Sequence, residues 1–264
     1  MSEYLLEVKD LKKYFTTKGG FLSGPKRVVK AVDGVSFQIK EGEILGIVGE
    51  SGCGKSTLGR TILRLVEADS GEILFDGTDI RALSREEMRQ MRSKMQMIFQ
   101  DPGASLNPRM TVLDSLREPF LLHDLPGRAH MDDVIREHIR AYGIQPELLE
   151  RRASQVSGGQ IQRIVLARIM LLQPEFIVLD EPTSMLDVSV QAQIMALLRD
   201  IQERTGVSYL LISHDLDLIR RSSHRIGIMR DGKLLEQGET GAVLDSPTHP
   251  YTRSLIDSFA YMRD

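Results

Sequence analysis

The sequence predicts an α/β protein with a mostly parallel sheet, an amino-terminal antiparallel β portion and an inserted α-helical subdomain. Three observations lead there. Short, predominantly apolar runs at residues 44–48, 176–179 and 207–213 have the composition of strands buried on both faces. Segments with apolar residues at helical spacing separate them, and buried strands alternating with helices build a parallel sheet. A Gly-rich turn, Gly49-Glu50-Ser51-Gly52-Cys53-Gly54-Lys55-Ser56, joins the first run to the next helix, as a phosphate-binding loop does.

Along the chain, alternating apolar residues at 4–8 and 35–39 predict short antiparallel strands flanking a Gly- and Lys-containing loop at 16–25. Residues 43–48 read as a buried strand, and the helix after the Gly-rich turn carries Leu58, Ile62 and Val66 until Asp69-Ser70-Gly71 ends it. Residues 72–75 followed by Asp76-Gly77 predict a hairpin strand and its turn. From 84 to 172 the pattern is mainly helical, with loop signals at 101–107 and at Leu125-Pro126-Gly127, which places a helical subdomain at about 101–173.

From Ser157 onward, Ile161, Ile164, Val165, Ile169 and Leu172 keep helical spacing and stop before Pro174. The strand at 176–179 follows, then an amphipathic helix marked by Ile194, Leu197, Leu198 and Ile201. After it come the strand at 207–213 and a hairpin at 226–235 turning at Asp231-Gly232. There is no internal repeat or low-complexity segment.

With 264 residues and 41% hydrophobic content, the chain can bury a substantial core as one domain carrying a subdomain. A net charge of −3 gives no global footprint for nucleic acid or an anionic membrane. The arginines between 81 and 92 and at Arg151, Arg152 and Arg163 stand beside acidic neighbours such as Glu86, Glu87 and Glu150, so a solvated helical face is expected of them. The single cysteine, Cys53, makes no internal disulfide and points to a reducing compartment. The opening MSEYLLEVKDLKKYF lacks the pattern of a signal peptide, and no apolar stretch approaches the roughly 20 residues needed to cross a bilayer. A membrane role therefore calls for a partner.

The chemistry is concentrated in a few segments. In residues 49–57, Gly49 to Thr57, glycines let backbone amides curl around phosphate oxygens, Lys55 reaches the β and γ phosphates, and the Ser56 hydroxyl ligates magnesium. The strand at 176–179 runs into Asp180, placed to hold magnesium against the nucleotide, and Glu181 follows as the candidate base for hydrolysis. His214, just past the next buried strand, is placed to sense the γ phosphate. Ser157, Gly158, Gly159 and Gln160 open an amphipathic helix and form a second phosphate-binding terminus. An ordinary helix cap would look the same in isolation. Two phosphate sites for one γ phosphate make sense if the second serves a nucleotide on a facing subunit.

With these motifs in this order, the chain resembles the nucleotide-binding subunit of an ATP-binding cassette transporter over essentially its whole length. The resemblance implies a P-loop NTPase (RecA-like) core, ATP and Mg2+ as ligands, and the signature in the form Val156-Ser157-Gly158-Gly159-Gln160, with valine where leucine is commoner. It makes Gln100 the glutamine that touches magnesium and the attacking water, and Asp187 the aspartate of the loop linking two facing sites. Met185 replaces the usual alanine and receives no role. Phe15 takes the place of the aromatic that stacks on adenine, with Tyr14 as the alternative.

A narrower resemblance, to the oligopeptide, dipeptide and nickel importer branch, rests on Gln100-Asp101-Pro102 with residues 104–109, on residues 186–193, and on His249-Pro250-Tyr251-Thr252-Arg253. A family-specific tail is expected at about 238–264; lacking a cysteine-bearing extension after Thr252, it implies no iron–sulfur cluster. The implied activity is ATP hydrolysis coupled to transmembrane transport of peptides or nickel. The implied partners are a second ATPase subunit, head to tail, two membrane permeases and an extracytoplasmic solute-binding protein, at the cytoplasmic face of the inner membrane, with no nucleic acid. The rival reading is a soluble cassette ATPase in nucleic-acid or complex-assembly work.

Overall fold

The computed structural model describes residues 3–16, 28–123 and 125–261. In chain order its regular elements are β1 (Leu6–Thr16), β2 (Val28–Ile39), β3 (Ile44–Val48), α1 (Lys55–Ile62), β4 (Ser70–Phe75), β5 (Thr78–Asp79), α2 (Arg85–Lys94), β6 (Met95–Ile98), α3 (Val112–Leu122) and α4 (Met131–His138). They continue with α5 (Gly158–Met170), β7 (Phe176–Asp180), α6 (Val188–Thr205), β8 (Ser208–Ser213), α7 (Leu216–Ser222), β9 (Arg225–Arg230), β10 (Lys233–Glu239), α8 (Thr240–Asp245) and α9 (Pro250–Tyr261). The chain divides into two units, Met1–Met88 with Ser208–Asp264, and Arg89–Val207. The single domain expected from composition is therefore built as two clusters.

In the first unit, β2, β1, β4 and β5 form an antiparallel sheet in that order. Strands β1 and β2 run well beyond the predicted 4–8 and 35–39. Their outer halves mix charged residues with exposed Val28 and Val29 and buried Leu11 and Val32, so no regular apolar alternation marks them. Pairings such as Tyr14 with Lys30 and Lys12 with Asp33 hold them instead. Most of the loop predicted at 16–25 falls outside the described residues. In the second sheet of this unit, β3 pairs in parallel with both β8 and β9, and β10 returns antiparallel to β9. Every residue of β3 and β8 is buried, which explains their apolar composition. Both predicted Asp-Gly turns are two-residue hairpins with positive φ at each residue: 44° and 74° at Asp76-Gly77, 48° and 79° at Asp231-Gly232.

Helix α1 stops at Ile62, so Val66 lies outside it and Asp69-Ser70-Gly71 is not its end. The chain leaves the helix through Arg64 at φ 52°, with the Leu65 N–H on the Arg60 carbonyl and the Arg64 N–H on that of Thr61. Glycine normally fills that left-handed position. Here the arginine is held by its guanidinium, which donates to the Ile80 carbonyl at 2.9 Å and the Leu83 carbonyl at 2.7 Å. Those partners come from a distant loop, and local sequence could not announce them.

The second unit contains the expected helices, α3 to α5 joined by short 3-10 turns and α6 following β7, together with a strand the helical pattern concealed. Residues 95–98, Met-Gln-Met-Ile, follow α2 without a break and have no β signal of their own. They are a strand because they pair in parallel with β7, Met95 opposite Phe176 and Ile98 opposite Leu179. The expected helical subdomain at 101–173 lies inside this unit. Among the described residues no helix is long and apolar enough to cross a membrane.

Candidate functional site

The predicted site residues fall in both units. The first holds Tyr14, Phe15, residues 49–57 and His214; the second holds Gln100, 157–160, Asp180, Glu181 and Asp187.

The loop between β3 and α1 is closed upon itself. Lys55, 5% exposed, turns its Nζ back to donate to the Gly49 carbonyl at 2.7 Å and the Glu50 carbonyl at 2.9 Å. The Cys53 N–H reaches the Glu50 carbonyl at 3.3 Å, and the Cys53 carbonyl accepts from the Gly232 N–H at 2.9 Å. Gly54 caps α1 at φ 110°. A Cβ there would collide with the Ala31 carbonyl, and one at Gly49 with that of Met229. These contacts let the backbone, rather than side chains, line the turn, with the amide ends of α1 free of a side-chain cap. Burial pushes the Cys53 thiol above its ordinary value, against the opposing charge of Lys55. The thiol is thus a packed filler and a weak nucleophile.

Phe15 and Tyr14 differ in availability. Tyr14 donates its hydroxyl to Asp33, a bond that pushes it up to about 12, and Lys30 lies 5.4 Å from its ring centroid. Phe15 is 42% exposed, and Lys13 Nζ lies 5.3 Å from its ring centroid. His214 is exposed just after β8. The next residue, Asp215, starts α7 by accepting from the Asp217 and Leu218 amides, and this fixes the chain on either side of the turn.

In the second unit the structure brings Gln100 and Glu181 together: the Gln100 Nε2 donates to Glu181 Oε2 at 3.0 Å. Glu181 follows β7 at φ 47°, a left-handed conformation that costs a side-chain-bearing residue about 1–3 kcal/mol. The following turn holds it there, with the Ser184 N–H at 3.3 Å and the Ser184 hydroxyl at 3.2 Å on its carbonyl. Asp180, the last residue of β7, is 1% exposed. Asp187 stands exposed at the start of α6.

Sequence reasoning missed Gln191, whose side-chain amide donates to the Thr183 carbonyl at 3.0 Å and the Leu186 carbonyl at 2.9 Å. It fixes the turn running from Glu181 toward Asp187. A polar residue on the first turn of a helix after a Gly-free loop was the only signal available.

Ser157 caps α5 in a reciprocal box: the Gln160 N–H donates to Ser157 Oγ at 3.4 Å, and the Ser157 N–H to Gln160 Oε1 at 2.9 Å. The segment is therefore a helix cap as well as a candidate phosphate site, and its face is exposed. Gly159 has a packing reason too, because a Cβ there would lie 2.7 Å from Val190 Cγ1. Of the arginines weighed for nucleic acid, Arg85, Arg151 and Arg152 are exposed, and others have partners within the chain. Arg163 donates to the Tyr142 carbonyl at 3.0 Å and to Gln193 at 3.1 Å, and Arg81 to the Gly71 carbonyl.

Ser56, Asp180 and Gln100 offer a hydroxyl, a carboxylate and an amide oxygen, hard donors of the kind magnesium takes. With the Gln100 nitrogen directed at Glu181, its carbonyl oxygen is the atom left to face a metal. Among the described residues no group of three or more His, Cys, Asp or Glu could hold a metal alone.

A family model described as ABC transporter matches residues 32–184. The oligopeptide transport ATP-binding protein AppF of Bacillus subtilis is 47% identical over 262 residues, covering 99% of this chain and 80% of that protein. The solved structure of cbiO1 from Clostridium perfringens, part of the ABC transporter complex cbiONQ, matches with a TM-score of 0.77 at 27% identity, covering 93% of this chain and 92% of that one. The dimeric post-hydrolysis state of the ATP-binding cassette MJ0796, bound to ADP and Pi, matches with a TM-score of 0.76 at 28% identity, covering 89% and 98%.

Proposed function

The chain belongs to the ABC transporter family, and from that premise we propose that it is the ATP-binding and hydrolysing subunit of a peptide importer. The observation that carries the catalytic part is the Gln100–Glu181 hydrogen bond, which joins the proposed water-positioning glutamine to the proposed base. The name of the relative AppF supports peptides as the transported class, and no relative cited above points to nickel.

The geometry supports the following roles. The Gly-rich turn presents its amides and the start of α1 to phosphate oxygens, and Lys55 exchanges its two carbonyl partners for the β and γ phosphates. Phe15 stacks on the adenine. Bound magnesium, held by Ser56 and Asp180 with the Gln100 oxygen, would neutralise charge on the phosphates. Glu181 accepts a proton from the attacking water, and the Gln100 amide orients its carboxylate until substrate arrives. His214 contacts the γ phosphate. Ser157 to Gln160 close over the nucleotide of a second, head-to-tail ATPase copy, and Asp187 links the two sites; the dimeric MJ0796 cassette supports this arrangement. Closing and reopening of the pair would drive two permease subunits served by a solute-binding protein. The chain would sit peripherally on the cytoplasmic face of the inner membrane.

The soluble, nucleic-acid-associated reading draws no support from relatives that are transport proteins. Glu181→Gln tests the proposal. ATP binding persists and the closed dimer accumulates on a sizing column, while turnover falls at least about a hundredfold, the scale of general-base catalysis. Undiminished turnover removes Glu181 from its role, and failure of permease subunits to co-purify from membranes removes the transport reading.

A further inference from the structure

The 249–253 segment, distinctive in sequence and given no role in hydrolysis, ends against the phosphate loop. Glu236 on β10 fixes the turn before α9, accepting from the Thr248 N–H at 2.8 Å, the Thr248 hydroxyl at 2.7 Å and the His249 N–H at 3.1 Å. Pro250 then opens α9, a position where its missing N–H costs nothing. The Tyr251 N–H donates to His249 Nδ1 at 3.1 Å. The Tyr251 ring is 7% exposed and lies 4.5 Å from the Arg230 guanidinium, a cation–π contact. Its hydroxyl donates to Glu50 Oε1 at 3.1 Å.

The β9–β10 hairpin thus grips the loop twice. Directly, the Gly232 N–H holds the Cys53 carbonyl. Indirectly, Arg230 and Glu236 seat the helix whose first turn holds Glu50. The second grip matters when phosphate arrives. Lys55 must then leave the Gly49 and Glu50 carbonyls, its present partners, and inside the loop the Glu50 carbonyl is left with the long 3.3 Å bond from the Cys53 N–H.

We propose that Tyr251 is a positioning residue for the phosphate loop, its hydroxyl fixing the Glu50 carboxylate so that the loop keeps its shape when Lys55 turns to the nucleotide. The role deepens the reading of residues 49–57 as a nucleotide site and rests on it.

Tyr251→Phe in the full-length chain removes the hydroxyl and keeps the ring for Arg230. Titration with a fluorescent ATP analogue and magnesium, alongside steady-state hydrolysis, reads the result. The dissociation constant and KM rise about three- to tenfold, the net scale of one hydrogen bond. The kcat stays within about twofold, because the bond lies outside the reacting atoms. In a Glu50→Ala background, which raises the same constant, Tyr251→Phe adds nothing further.

An unchanged dissociation constant for Tyr251→Phe, or fully additive effects in the double variant, overturns the proposal. Should Tyr251→Phe not fold, Glu50→Ala carries the test alone, and unaltered affinity there overturns it equally. Wild-type protein that fails to bind the analogue refutes the nucleotide reading itself. Normal wild-type binding with unmoved variants refutes only the role of Tyr251.

Discussion

Two alanine substitutions in the same loop separate backbone strain from lack of space. Gly52 and Gly54 both have positive φ, 81° and 110°. A Cβ at Gly52 would meet nothing within 4 Å, whereas one at Gly54 would overlap the Ala31 carbonyl and sit 2.9 Å from Met229 Cε. Gly52→Ala therefore carries only the left-handed penalty of about 1–2 kcal/mol. The reduced freedom of the unfolded chain offsets about 0.4–1 kcal/mol of it. The net loss is about 1 kcal/mol, or roughly 2–4 °C in melting temperature.

Gly54→Ala adds a φ further from any well, about 1–3 kcal/mol, and a clash with backbone that cannot rotate away, about 1–3 kcal/mol more. The expected loss is about 2–6 kcal/mol. Whatever folds must move the loop, and a misplacement of about 1 Å at a reacting centre costs about a hundredfold in rate. Thermal unfolding without nucleotide, followed by ATP titration of both variants, gives the comparison. Equal destabilisation of the two, within about 0.5 kcal/mol, would refute the claim that contact with Ala31 and Met229 governs this loop.

Ser157→Ala breaks the capping box and should cost about 1 kcal/mol of stability, together with a large loss of turnover. Ser157→Gly should recover stability to within a few tenths of a kcal/mol without recovering turnover, because glycine supplies no hydroxyl to a phosphate; recovery of both would make the residue a cap alone. Glu236 yields a pH prediction. Burial alone would raise its carboxyl, but the Thr252 and Thr248 hydroxyls and the 248 and 249 amides outweigh burial and bring it down to about 2. A depressed carboxylate stabilises above its unfolded value near 4.5 and loses that contribution as pH falls toward 2. The melting-temperature gap between wild type and Glu236→Gln should thus be full at pH 6–7 and shrink steadily below about 4.5. A gap that stays constant down to pH 3 would show that ionisation of Glu236 does not hold α9.

Much of this protein was legible in one dimension. Strands β3, β7 and β8 are buried on both faces, so burial alone dictated their composition. The two Asp-Gly hairpins carry their own conformational requirement, and the box at Ser157 and Gln160 is complete within four residues. These features depend on neighbours in sequence, and the motifs of the site share that property. Features set by distant partners were not legible. Strand β6 exists through its pairing with β7, α1 ends where Arg64 finds the carbonyls of Ile80 and Leu83, and the outer halves of β1 and β2 are held by their pairing with each other.

The site divides along the same line. Residue types and spacing determined that this chain carries a Gly-rich turn between a strand and a helix, a strand ending in a carboxylate, an adjacent glutamate and a glycine-opened helix, because each is a local arrangement of amides and short side chains. Only the folded chain could decide that the Gln100 amide rests on Glu181, that Phe15 is exposed while the Tyr14 hydroxyl is bound to Asp33, and that Tyr251 reaches Glu50 across 201 positions of sequence. A hydrogen bond requires two groups within about 3 Å, and sequence places each group while tertiary packing alone sets the distance between them.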